Sequence, residues 1–169
     1  MLTLDDLVKK DKSELDQLFR EGEAPEEDAV EGVTRGAVLA GVGPLRVGVV
    51  REAVNTPLLP WKGKVFDDRT GRNRIEVGPV KTQEFEFQTH VSPSIDDGEP
   101  TLVLDYDLPE NPPGIRSIHD ELREIETGLY LGTSNLRVGD DHRFLLYFAL
   151  ESAPGEAGDV GRTVEIEVE

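Results

Sequence analysis

From Gly32 onward, Gly, Pro, Asn and Asp cut the chain into short runs whose starts fall about 8–12 residues apart, and this rhythm constrains the fold more than any other feature. Phe85 and Phe87 alternate with Glu84, Glu86 and Gln88. Val164, Ile166 and Val168 alternate with Glu165, Glu167 and Glu169 in the same way. A period of two is the mark of a strand with one buried face. Candidate strands cover residues 33–41, 45–54, 63–67, 74–77, 83–91, 101–107, 128–138, 142–151 and 161–168. The continuous apolar run from Phe144 to Leu150 predicts a central strand covered on both faces. Asp67-Asp68-Arg69-Thr70-Gly71, Asp96-Asp97-Gly98 and Gly139-Asp140-Asp141 supply turn chemistry. The spacing favours an antiparallel barrel or sandwich over an α/β sheet.

Two places depart from this rhythm. At the N-terminus, Thr3 with Asp6 forms a capping-box-like start, and Leu4, Leu7 and Val8 share a helical face. Leu15, Leu18 and Phe19 predict a second short helix ending at Gly22. Later, the loop from Pro109 to Gly114 cannot supply ladder donors. After it, Ile115, Ile118, Leu122 and Ile125 recur at helical spacing, which predicts one helix over 115–125. The expected organisation is a helical segment (1–22), an acidic linker (23–32) and one β-barrel domain (33–169).

Composition narrows the function classes. With 18 Lys+Arg against 35 Asp+Glu, the net charge is −17 and no basic face is available for a nucleic-acid backbone or an anionic membrane. The acidic residues are dispersed and lysines few, as on proteins of salt-adapted cytoplasms. No cysteine is present for a disulfide, a thiolate zinc site or a Cys nucleophile. No apolar run approaches the ~20 residues of a membrane-spanning helix. The start Met1-Leu2-Thr3-Leu4-Asp5-Asp6 lacks a basic region and a long apolar region, so a cytoplasmic location is expected.

Candidate chemistry clusters in two stretches. The first, Trp61-Lys62-Gly63-Lys64-Val65-Phe66, holds the single Trp of the chain, a residue more often a barrel plug than a ligand stacker. The second runs through Asp105, Tyr106, Asp107, His119, Asp120, Glu121, Arg123 and Tyr130. A helix over 115–125 would bring His119 and Arg123 together at i, i+4. With Asp105, Asp107 and Glu121, His119 would suit acid/base work. The plainer alternative is that Arg123 pairs with Asp105 or Asp107 to pin the helix to the sheet, leaving His119 exposed. Gly41-Val42-Gly43-Pro44 is not a dinucleotide fingerprint, and phosphate-loop, Gly-x-Ser-x-Gly and His-Glu-x-x-His motifs are absent.

The Trp61-x-Gly63-Lys64-x-Phe66 pattern resembles the Trp–Gly-Lys–Phe signature of the lipocalin-like GXWXG proteins, a family of unknown function. Asp105-Tyr106-Asp107-Leu108-Pro109, Asp120-Glu121-Leu122-Arg123 and Gly128-Leu129-Tyr130-Leu131-Gly132 are similar in order to its later motifs. The resemblance implies a calycin-type antiparallel barrel, here of about eight to ten strands, around a small-molecule pocket. The expected function is binding of a small apolar or amphipathic molecule. Trp61, Phe66, Phe85, Phe87, Tyr106, Tyr130, Tyr147 and Phe148 are the candidate lining, with Arg123 or His119 as polar anchor. No cofactor or metal is expected, and a homodimer is allowed. Two other readings stay open: a cofactor-independent isomerase, cyclase or lyase using His119 with Asp105, Asp107 or Glu121, and an assembly domain with no ligand.

Overall fold

The computed structural model describes residues 1–41 and 61–152. Eight strands close into one barrel in which each strand pairs with its sequence neighbours: β1 (Gly32–Gly41), β2 (Trp61–Asp67), β3 (Thr70–Val77), β4 (Val80–Pro93), β5 (Pro100–Asp105), β6 (Ile118–Glu126), β7 (Leu129–Val138) and β8 (Asp141–Ser152). Every pairing is antiparallel, and β1 against β8 completes the ring. This is the up-and-down closed barrel expected of a lipocalin-like protein. The expected strands over 45–54 and 161–168 lie outside the described residues.

Strand alternation builds two cores, one on each side of the wall. Phe66, Phe87, Leu102, Leu104, Leu122 and Leu150 belong to the interior. On the outer face, α1 (Leu4–Val8) and α2 (Lys12–Glu21) bury Leu4, Leu7, Leu15 and Phe19 against Leu39, Leu131 and Ala149. Capping boxes begin both helices, Thr3 with Asp6 and Asp11 with Glu14, so their first N–H groups find side-chain acceptors. The apolar run in β8 is therefore covered on both sides: Phe148 and Leu150 inward, Tyr147 and Ala149 beneath the helices. The Tyr147 hydroxyl donates to Asp16 Oδ1 at 2.6 Å, pinning α2 to β8. Tyr147→Phe removes that bond and leaves the ring, so a loss of about 1 kcal/mol is expected from urea unfolding.

The helix expected over 115–125 is corrected. A helical turn, α3, reaches only Pro113–Arg116, and Ile118–Glu126 is strand β6. Its alternation is hidden because both faces are buried from Asp120 to Arg123. Ile118, Asp120 and Leu122 face inward, while Glu121 and Arg123 are covered from outside. Polar residues on buried faces erase the period-two pattern, and the isoleucine spacing then mimics a helix. The acidic stretch 23–32 is packed against the barrel. Glu23 exchanges backbone hydrogen bonds with Glu124 (3.0 and 2.8 Å), and Val30 is buried in the interior cluster.

Candidate functional site

The barrel is filled in one half and hollow in the other. Toward the end where β1 and β3 finish and β2 and β6 begin, a cavity of about 260 Å³ remains. Trp61, Ile75, Phe85, Phe148 and Leu146 make much of its wall, with Ile115 of α3 and Ile118 beside them. Room for it comes partly from close approach of rings to backbone: at Gly132, a Cβ would lie 2.3 Å from the Phe148 ring. Trp61 packs edge-on against Phe148, with centroids 5.9 Å apart.

Polar groups in this apolar space converge on Lys64. Its backbone setting depends on a bulge in β2, where the register shifts between Trp61 and Gly63. One extra residue there turns both Trp61 and Lys64 toward the interior, although an odd spacing would otherwise send them to opposite faces. Gly63 sits at φ +136°, and a Cβ on it would come within 2.3 Å of the Thr34 carbonyl oxygen. Thr34 completes the local pairing with its side chain, donating to the Lys64 carbonyl (2.8 Å) and accepting from the Lys64 N–H (3.1 Å).

The Lys64 side chain is 3% exposed. Its Nζ donates to Asn73 Oδ1 (2.8 Å), to the Tyr106 hydroxyl oxygen (2.5 Å) and, more loosely, to Asp120 Oδ2 (3.4 Å). Asn73 is itself held: Trp61 Nε1 donates to its Oδ1 at 2.9 Å, and its Nδ2 donates to the Tyr106 oxygen at 3.0 Å. The Phe87, Tyr106 and Phe148 rings lie 5.2–5.3 Å from Nζ, a setting that favours a cation only weakly against its lost hydration. Burial accordingly pushes the Lys64 pKa down, with Asp120 opposing by charge and hydrogen bond. Burial likewise holds the Tyr106 hydroxyl well above its ordinary range. Asp120 Oδ1 is buried and has no hydrogen-bond partner among the described residues. A carboxylate oxygen left so costs about 1–3 kcal/mol or more.

The sign of the lysine shift gives a pH test. Between its lowered folded-state pKa and the ordinary 10.5, the unfolded chain holds more protons at Lys64 than the folded one. Stability at this site is therefore gained as pH rises through that window and lost as pH falls through the folded pKa. The urea midpoint of the wild type, minus that of Lys64→Met, should increase from pH 7 towards pH 10.5. A flat difference would contradict the depressed ammonium.

The residues singled out in the sequence are distributed around this site unevenly. Trp61 and Tyr106 line the cavity, whereas Phe66 and Tyr130 belong to the filled half of the interior. Tyr147 lies outside, under α2. Arg123 is also outside and 1% exposed; all five of its N–H groups are used. They reach both Asp97 carboxylate oxygens (2.7 Å each) and the carbonyls of Phe19, Glu99 and Pro100. Its expected partners Asp105 and Asp107 are thus replaced by Asp97, a turn residue whose carboxyl the Arg123 hydrogen bonds hold below the usual range.

His119 and Arg123, expected on one helical turn, are four strand positions apart in β6, about 13 Å along it. His119 Nε2 lies 3.0 Å from Glu121 Oε2, so that pair is in contact, but on the outer side of the wall, away from the cavity. Glu121 is fully buried and binds the turn after β4, accepting from the Ser94 hydroxyl (2.6 Å) and the Ile95 N–H (3.0 Å). Burial raises its pKa, yet the His119, Ser94 and Ile95 hydrogen bonds outweigh that and hold it low. Asp105 caps the Asp107 N–H beyond the end of β5, and Asp107 pairs with Arg116 (2.8 Å) and Arg137 (3.4 Å) at the surface. Neither Arg123 nor His119 reaches the cavity. Lys64 and Asn73 were missed as polar groups of the site; the signal for Lys64 was its place two residues before Phe66, on the same strand face.

Fold and site together define a closed up-and-down β-barrel with a half-hollow, apolar interior and a buried Lys–Asn–Tyr–Asp cluster. A protein from Thermomonospora curvata with a solved crystal structure shares this fold, with a TM-score of 0.58, 15% sequence identity, and 85% of this chain and 88% of that one covered. No protein-family model and no curated protein matches the chain in sequence. Among the described residues no helix is long and apolar enough to cross a membrane, and no group of three or more His, Asp or Glu is placed to hold a metal ion.

Proposed function

We propose that the chain binds a small, largely apolar molecule in the barrel cavity, with its single polar end directed at the Lys64–Asp120 cluster. The observation that carries this reading is Asp120 Oδ1, a buried carboxylate oxygen without a partner among the described residues, at a largely apolar cavity wall. Lys64 already spends its donors on Asn73, Tyr106 and Asp120, so a ligand group that donates meets an acceptor in the Asp120 carboxylate, whereas one that brings a negative charge meets repulsion. A hydroxyl or amine end suits it better than a carboxylate. The likeness of residues 61–66 to the GXWXG signature supports the same reading, because that segment carries Trp61 and Lys64 into the cavity.

Trp61, the single tryptophan, is a built-in probe. Titration with 1-hexanol should change its fluorescence and raise the melting temperature by mass action, while hexanoate should do so far less. If no member of an alcohol, amine and carboxylate series of this size shifts either signal, the binding reading fails.

A further inference from the structure

We propose that Lys64 is a nucleophile that captures small, largely apolar aldehydes or ketones as an imine inside the barrel. This rests on the binding reading and assigns it a reacting atom. Lys64 is the one lysine among the cavity-lining residues, and its Nζ is enclosed by Trp61, Phe87, Tyr106 and Phe148 rings. Of its three partners Asn73 and Tyr106 are neutral, the Tyr106 hydroxyl can donate to a neutral amine as well as accept from an ammonium, and Asp120, the only anion among the described partners, stands at the loose distance of 3.4 Å. An amine in such surroundings is more easily deprotonated than one in water, which is the direction its pKa takes.

The chemistry balances with Asp120 as proton carrier and one proton drawn from solvent. The neutral amine's lone pair forms a C–N bond to the carbonyl carbon, and the carbonyl π electrons move onto oxygen. Asp120 Oδ1, free to accept, takes the proton from nitrogen and returns it to that oxygen, giving a carbinolamine. One proton taken up from solvent and passed through Asp120 to the hydroxyl lets water leave as the nitrogen lone pair forms the C=N bond, and the iminium carries that proton's charge. The Asp120 carboxylate then faces the iminium cation. No oxidant or reductant is consumed, and hydrolysis reverses the capture.

The test uses 2-naphthaldehyde with sodium cyanoborohydride, which reduces an iminium to a stable secondary amine, and 2-naphthalenemethanol as the unreactive analogue. Peptide mapping of the wild-type chain separates Lys64 from Lys9, Lys10, Lys12, Lys62 and Lys81. The expected result is an adduct at Lys64 forming faster than at any other lysine, since a lowered pKa raises the neutral fraction of the amine and the cavity holds the aldehyde beside it. Lys64→Arg should lose that adduct. Adducts spread evenly over the lysines, or sparing Lys64, would overturn the inference. If the alcohol nevertheless stabilises the wild type, the binding reading survives that failure; if it does not, both fall.

Discussion

Arg123→Ala should destabilise the protein by about 2–4 kcal/mol, because it empties a fully buried guanidinium site and removes hydrogen bonds to a charged donor from three carbonyls (about 1.5–3 kcal/mol for each such bond, not additive). The guanidinium ties together the Phe19 carbonyl in α2, Asp97 in the turn after β4, and strand β6 itself. It also lies over the Phe19 ring, 4.5 Å from the centroid. Truncation leaves the Phe19, Glu99 and Pro100 carbonyls without this donor and frees Asp97 from its cation. Chemical unfolding would show the loss directly, and Arg123→Lys should recover little, because an ammonium cannot reach all of these acceptors at once. Because Arg123 faces away from the cavity, ligand-induced stabilisation of the remaining folded protein should be unchanged. A variant within 1 kcal/mol of wild type, on the scale of an exposed pair, would contradict the role assigned here (about 0–1 kcal/mol for such pairs).

Gly63→Ala should cost about 3 kcal/mol or more and should also disable the site. Two penalties coincide: a non-glycine residue is strained at φ +136°, and its Cβ would be driven to 2.3 Å from the Thr34 carbonyl oxygen. The chain can relieve both only by giving up the β2 bulge. Trp61 and Lys64 then no longer share the interior face, so the Trp61 emission should shift towards that of a more exposed indole in a still-folded fraction. A glycine-to-alanine change at Gly114, where a Cβ would meet nothing within 4 Å, is the matched control and should be nearly silent. Near-equal stabilities of the two variants would rule out the bulge as the device that sets the site.

The meander of strands was legible because turn residues and alternation are local. The two helices were legible for the same reason, through Thr3 with Asp6 and the apolar face of Leu15 and Phe19. Strand β6 was not, because its pattern depends on neighbours far away in sequence: α2 and the turn at Asp97 bury what would otherwise be its polar face. The cavity's aromatic wall could be anticipated at Trp61 and Tyr106 from residue type alone. Its polar end could be read only in part: Lys64 shares a face with Phe66, but the bulge that brings Trp61 onto that face is set by Gly63 against Thr34 of the neighbouring strand β1. Asp120 and Glu121 illustrate the limit: adjacent, both acidic and both buried, one faces the cavity and the other locks a surface turn.

The pairing of β1 with β8 also has a consequence in time. Thr34 meets Ser152, and Ala37 meets Ala149, so the barrel cannot shut until the chain has been made past β8. Consecutive hairpins can form as they leave the ribosome, but the sheet they build stays an open trough with Phe66, Phe87 and Leu122 uncovered. Helices α1 and α2 must wait as well, because Tyr147 and Ala149 belong to the surface that receives them. Through that interval residues 1–140, with 28 Asp+Glu against 16 Lys+Arg, carry a net charge of −12 that keeps neighbouring copies apart. Synthesis interrupted between β7 and β8 would leave a chain with most of its strands and neither of its cores, the form a chaperone or protease would be expected to meet.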